Sequence, residues 1–239
     1  MGLKLFIPCF LDQCAPHVAK AVVEVLERWG VPWEYPEDQT CCGQFAWTAG
    51  DAATARRLSR RFLKVFAGDD LIVCPSASCT YMVRYCYPQL AADPAERRTL
   101  EALASRVMEL SQWLAGMPPL PRTPRFKGSL VLHQSCKARQ LGVLPQAREV
   151  LSQVEGLELL TVSPYYTCCG FGGTFGLQQP ELSREIGEAY LTAVAATGAA
   201  GLVSLDSSCL LHLQALKVPP ARDLKFFHLA EVLTMNETP

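Results

Sequence analysis

The chain has no excess of either charge: 22 Lys and Arg stand against 23 Asp and Glu, a formal net charge of −1. That balance leaves no basic mass to track a nucleic-acid backbone, and the densest cluster, RRLSRRFLK at 56–64, reads as the solvated face of a helix. Long hydrophobic runs are missing as well. The apolar, uncharged stretch from Ala189 to Leu205 is interrupted by ATGAAG and reads as a helix end, a turn and a strand, which argues against a bilayer span. The opening MGLKLFIPCF has no basic segment, long apolar core or small-residue cleavage site, so it does not read as an export signal, and Phe6 breaks a myristoylation pattern. No phosphate loop, Ser-His-Asp order or C-x-x-C pair stands out. These absences predict a cytoplasmic globular protein whose 49% apolar residues build a substantial core.

What the chain does have is cysteine. Eleven are present, an odd number in a sequence read as intracellular, which points away from a disulfide scaffold and toward metal binding or thiol chemistry. Two of them are adjacent in TCCGQFAWTAG at 40–50, and the arrangement returns 127 positions later in TCCGFGGTFG at 167–176. A bridge between sequence neighbours strains the peptide, so paired cysteines suit a centre that takes two sulfurs at one point.

The repeat extends well beyond the pairs. The proline-rich GMPPLPRTPRFKG at 116–128 reads as a link between two halves, residues 1–117 and 128–239, with 118–127 as linker. Each half opens with an apolar strand (LKLFIPC at 3–9, SLVLHQSC at 129–136), then an amphipathic helix and a second short strand. After the cysteine pair come another helix, a further strand (DLIVCP at 70–75, GLVSLD at 201–206) and a cysteine at the head of the next helix. Strands alternating with helices at this spacing predict an α/β fold of two pseudo-symmetric halves, each a small, mostly parallel sheet flanked by helices. The cysteines keep register: 31 residues separate Cys9 from Cys41 and Cys136 from Cys168, while 36 separate Cys42 from Cys79 and 39 separate Cys169 from Cys209.

In each half these cysteines fall at the carboxyl ends of parallel strands, the edge where open α/β sheets collect ligands. Four thiolates per half, Cys9, Cys41, Cys42 and Cys79 in the first and Cys136, Cys168, Cys169 and Cys209 in the second, suit tetrahedral zinc or an iron–sulfur cluster. Gly43 and Gly170 permit positive φ beside the pairs, and GFGGTFG offers further amides to cluster sulfides. Cys14 and Cys86 have no counterpart in the other half and read as small buried hydrophobes; Cys74 stays open. His133 and His228 read as hydrogen-bonded structural residues near element ends, and His17 and His212 as residues of helix surfaces.

The stretches AVVEVLERWGV, YPEDQTCCGQ, PSASCTYMV, HQSCKARQLGV, GLELLTVSPYYTCCGFGGTFG, DSSCLLHL and FFHLAEVL resemble the CCG-domain (cysteine-rich) proteins. That group includes the B subunit of heterodisulfide reductase and the iron–sulfur subunit of glycolate oxidase, and within it the chain is most similar to the LutA/YkgE family of L-lactate utilisation. The resemblance spans the whole chain. It implies an iron–sulfur electron-transfer component, with a [4Fe-4S]-type cluster in each half, working with a LutB-like ferredoxin-type protein and a LutC-like protein to oxidise L-lactate to pyruvate. Relatives use a fifth cysteine, and this chain has Ser76 and Asp206 at the two corresponding positions. An oxygen ligand from Asp206, a cubane cluster, or zinc in one or both sites therefore stay open, as does a protein whose duplicated zinc sites staple the fold and present a docking surface to partners.

Overall fold

The computed structural model describes residues 2–163, 165 and 168–236; Thr167, first residue of the second cysteine motif, lies outside them. Among these residues eight strands form two sheets of four. The first holds β1 (Leu3–Leu5), β2 (Trp33–Glu34), β3 (Leu71–Cys74) and β4 (Val107–Glu109), in the order β2-β1-β3-β4. The second holds β5 (Arg125–Leu132), β6 (Glu155–Leu160), β7 (Gly201–Ser204) and β8 (Lys225–His228), in the order β6-β5-β7-β8. Every pairing is parallel, and both sheets have one topology, so the α/β class and its pseudo-symmetry follow directly.

Helices enforce this arrangement because each buries one apolar stripe. In Pro16–Arg28, proline occupies the first turn, where its missing N–H costs nothing, and Val18, Ala21, Val22, Val25 and Leu26 fall on one buried face. Ala52–Val65 starts at Asp51, whose carboxylate accepts from the Thr54 amide, and buries Ala55, Ser59 and Phe62. Arg57, Arg60 and Arg61 are exposed, with Arg60 paired to Glu96 and Arg61 to Asp38, so the basic cluster is largely a solvated face, while Arg56 is half-buried and donates to the Leu90 carbonyl.

Both sheets are covered on both faces, as all-parallel sheets must be. The outer cores are separate: Phe6, Phe66, Ile72 and Tyr87 in the first half, Val131, Tyr190, Leu202 and Leu213 in the second. The inner core is shared, running from Leu5, Leu11 and Trp113 through to Leu130, Leu151 and Leu233. Helix Pro16–Arg28 packs on Leu229–Thr234 as helix Leu144–Leu151 packs on Leu110–Ala115, a pair of contacts related by the pseudo-two-fold. The stretch between the halves is tied down: Leu120 is buried, its amide donates to Gln153, and β5 already begins at Arg125. Among the described residues no helix is long and apolar enough to cross a membrane.

Candidate metal centre

Strand order decides where the cysteines meet. In each sheet the chain leaves the first strand toward one side and returns on the other, and the crevice beyond the carboxyl ends of these two strands is the switch point where ligands bind. Cys9 heads the helix after β1, and Cys79 sits in the first turn of the helix after β3. Cys136 and Cys209 hold the matching places after β5 and β7. The first cysteine pair is brought over the same edge by Gln39, whose side chain accepts from the Ile7 amide and donates to the carbonyls of Leu5 and Pro36. Tyr87, fully buried, then pins the pair by donating to the Cys42 carbonyl at 2.9 Å.

All eight repeated cysteines line a single cleft of about 140 Å³, room for several heavy atoms and not merely one water. In the first half, sulfur contacts run from Cys9 to Cys41 to Cys42 to Cys79, the last at 3.3 Å. In the second they run from Cys168 to Cys169 to Cys209, the last at 3.0 Å, with Cys136 near enough to feel the charges of Cys168 and Cys209. Backbone amides converge on these sulfurs, Gly43 on Cys41 at 3.3 Å, Gly170 on Cys168 at 3.4 Å and Phe171 on Cys169 at 3.5 Å. Hydrogen bonds from the Cys42 and Cys9 thiols, with help from the Gly43 amide, hold the Cys41 thiol down at about 3. Cys9 moves the opposite way, through its hydrogen bond to Cys41 and then burial. One thiolate among neighbouring thiols is the state expected of sulfurs crowded to share a positive charge.

The fit to a soft metal centre rests on this donor set and on its backbone cradle. Gly170 has φ +87°, and a Cβ there would meet the Ser183 carbonyl oxygen at 2.2 Å, so only glycine lets the second pair pass this close to helix Pro180–Ala195. Phe10, Phe45 and Phe171 line the same cleft, with ring centroids 5.6 to 6.2 Å apart. Phe10 follows Cys9 and Phe171 follows the second pair, so one aromatic cluster flanks both quartets. Thr48 and Thr174 meet hydroxyl to hydroxyl beside it at 3.3 Å.

Asp206 lies between the quartets. It is buried at 1% exposure; one carboxylate oxygen accepts from the Ser76 hydroxyl (2.9 Å) and the Ser78 amide (2.8 Å), the other from the Ser135 hydroxyl (2.6 Å). Ser76 and Asp206 are the equivalent positions of the repeat, so their contact marks the pseudo-two-fold axis. Both carboxylate oxygens are thus engaged by residues that head cysteine-bearing helices of both halves.

Other residues depart from the sequence reading. Cys14 is exposed, because the helix Cys9–Cys14 ends there and turns its last residue outward, whereas Cys86 is buried as expected. Cys74 is buried behind the site, its sulfur toward the Ser76 carbonyl at 3.7 Å. His228 does serve structure: its Nδ1 accepts from the Ala230 amide, and Glu231 accepts from the His228 amide, a capping box on the last helix. His17 is on a surface, but His212 is half-buried against Phe171. His133 is fully buried, and neither ring nitrogen has a hydrogen-bond partner among the described residues, contrary to its expected role. Burial holds both His133 and His228 at about 4, so both are neutral at neutral pH, and desolvation raises the buried Glu109 to about 8.

The sequence model of the CCG cysteine-rich domain matches the chain twice, at residues 3–84 and 130–214. Lactate utilization protein A of Bacillus subtilis (strain 168) is 34% identical over 238 residues, covering 98% of this chain and 99% of that protein. Lactate utilization protein A of Oceanobacillus iheyensis is 35% identical over 241 residues, covering 99% and 98%. A crystal structure of a hypothetical protein from Helicobacter pylori shares the fold with a TM-score of 0.59 at 11% identity; the match covers all of this chain and 49% of that one, so the chain spans about half its length. Two quartets in one register, two matches to one domain and full-length similarity at about a third identity agree: the chain belongs to the CCG cysteine-rich domain family, in the group of the lactate utilization A proteins.

Proposed function

We propose that the protein acts in lactate utilisation as the iron–sulfur electron-transfer component of a complex that oxidises L-lactate to pyruvate. The observation that carries the reading is the convergence of both cysteine quartets on one cleft lined by one aromatic cluster. The names of the relatives supply the metabolic context. Cys9, Cys41, Cys42 and Cys79 would hold one centre and Cys136, Cys168, Cys169 and Cys209 the other. When bound, a [4Fe-4S]-type centre supplies reversible one-electron storage, and two of them match the two electrons that leave a 2-hydroxy acid on its way to the keto acid.

The chain's own residues set the conditions for that storage. Amides of Gly43, Gly170 and Phe171 donate to the cysteine sulfurs and stabilise their negative charge, which tunes a potential upward. Phe10, Phe45 and Phe171 give the cleft an apolar lining, and the Asp206 bridge fixes one half against the other. A ferredoxin-type LutB-like protein and a LutC-like protein are the proposed partners. The test is anaerobic assembly of the three proteins with L-lactate, following pyruvate formation and bleaching of the visible absorption. A Cys42→Ser/Cys169→Ser double variant should abolish both signals, and undiminished pyruvate formation with that variant would overturn the assignment.

A further inference from the structure

The two halves repeat their cysteines but not what stands behind them. In the first half Phe6, three residues before Cys9, packs edge-on against Phe62 at 4.9 Å between ring centroids. His133 stands three residues before Cys136 and packs edge-on against Tyr190, again at 4.9 Å. A hydrocarbon pair in one half is thus a polar pair in the other, in the same contact. Three polar atoms of that pair, both His133 ring nitrogens and the Tyr190 hydroxyl, are buried without a hydrogen-bond partner among the described residues. Burying such groups unpaired is costly, and the first half shows that phenylalanine fills the same place. A ring nitrogen of His133 and the sulfurs of Cys169 and Cys209 lie within 4.8 Å of one another. Ligands about 2.0–2.3 Å from a shared tetrahedral metal sit roughly 3.3–3.8 Å apart, so small side-chain movements would bring all three onto one ion.

We propose that His133 is a nitrogen ligand of the second centre, which therefore has a mixed sulfur and nitrogen coordination while the first is held by sulfur alone. This rests on the reading that the quartets hold metal. The imidazole approaches from the buried face, behind Cys169 and Cys209, while Cys136 and Cys168 approach from the exposed side. Being neutral, it donates a lone pair without releasing a proton or adding negative charge. The imidazole takes one position of the four in place of one of that quartet's thiolates, and a centre with a neutral ligand where a thiolate would stand is reduced more easily, so the second centre has the higher potential. Phe6 offers no such atom, and the first centre has no equivalent ligand.

The test uses the full chain, anaerobic and reduced, with two probes. Cobalt(II) alone is titrated into metal-free wild type, His133→Phe and His133→Gln, following thiolate-to-cobalt charge-transfer and d–d absorption. Iron and sulfide are separately reconstituted into protein carrying 15N-histidine, and pulsed EPR measures coupling of the reduced centres to nitrogen. The expected result is two cobalt sites in wild type, with the affinity of one reduced at least about 10-fold in His133→Phe and the other unchanged. One 15N coupling should appear in wild type and vanish in the variant. Two occupied sites with no 15N coupling, or identical titrations for wild type and both variants, would overturn the ligand assignment and leave the metal sites standing. Failure of wild type to bind either probe would overturn the metal reading itself. Should the variants fail to fold, the wild-type coupling decides alone.

Discussion

Replacing Asp206 by alanine should loosen the junction between the halves. The carboxylate is buried and takes three donors, two from the first half and one from the second. Of these, the Ser76 hydroxyl can turn to Ser78, 3.1 Å away, so its loss is partly made good. Among the described residues neither the Ser135 hydroxyl nor the Ser78 amide has such an alternative, and each orphaned donor costs roughly 1–3 kcal/mol. Removing the charge also removes its desolvation cost, which offsets part of that sum. The expected net loss is about 3 kcal/mol, or roughly 6–12 °C in melting temperature for a chain of this size. Asp206→Asn keeps one acceptor but points an amide group at a donor, and should lose about half as much. Urea denaturation of the three proteins at equal metal content measures the effect. Ser135→Ala combined with Asp206→Ala should cost about 1–3 kcal/mol less than the sum of the single changes. An Asp206→Ala loss under about 0.5 kcal/mol, or strict additivity with Ser135→Ala, would refute the bridge.

Glu109 titrates at about 8 in the fold against 4.5 ordinarily, so its contribution is fully present below pH 4.5 and is lost as pH rises through 8. The stability of wild type relative to Glu109→Gln should therefore fall steadily from pH 5 to pH 8.5; a flat difference would show that the carboxyl is not held protonated. His133 has the reverse sign: its pKa is lowered from 6.5 to about 4, so stability is lost as pH falls through that range. In metal-free protein, His133→Phe should gain on wild type between pH 7 and pH 5, a gain that denaturation midpoints would register or exclude. Gly170→Ala and Gly43→Ala both force a side chain into left-handed backbone, but only the first drives it into a carbonyl oxygen, whereas Gly43 faces the Leu58 side chain at 3.3 Å. Gly170→Ala should cost over about 3 kcal/mol and empty one metal site, Gly43→Ala about 1–2 kcal/mol, and equal losses by metal analysis and denaturation would contradict the cradle.

The α/β class and its duplication were legible because period, strand length and cysteine register all repeat along the chain, and they survive any error at a boundary. The gathering of each quartet at the carboxyl edge of its sheet followed from the same register. The single cleft was not legible, because two repeats fix what lies within each half and say nothing of how the halves face each other. Hence Ser135 drew no attention: its partner Asp206 is 71 residues away and reached only through the shared core. His133 was misread for a related reason. A histidine at a strand end is ordinarily hydrogen-bonded, and only its alignment with Phe6, three residues before the first cysteine of the other half, could have marked it as a polar substitution. Cys14 exposes the limit of composition, since cysteine is commonly buried but a helix terminus can turn it to solvent.

The most direct test of the account is iron, zinc and acid-labile sulfide analysis, with EPR, on protein purified without oxygen. It predicts iron and sulfide together in two centres per chain, with EPR signals after reduction that differ between the halves. Stoichiometric zinc at both sites with no sulfide would contradict it and leave the cysteine quartets as structural staples.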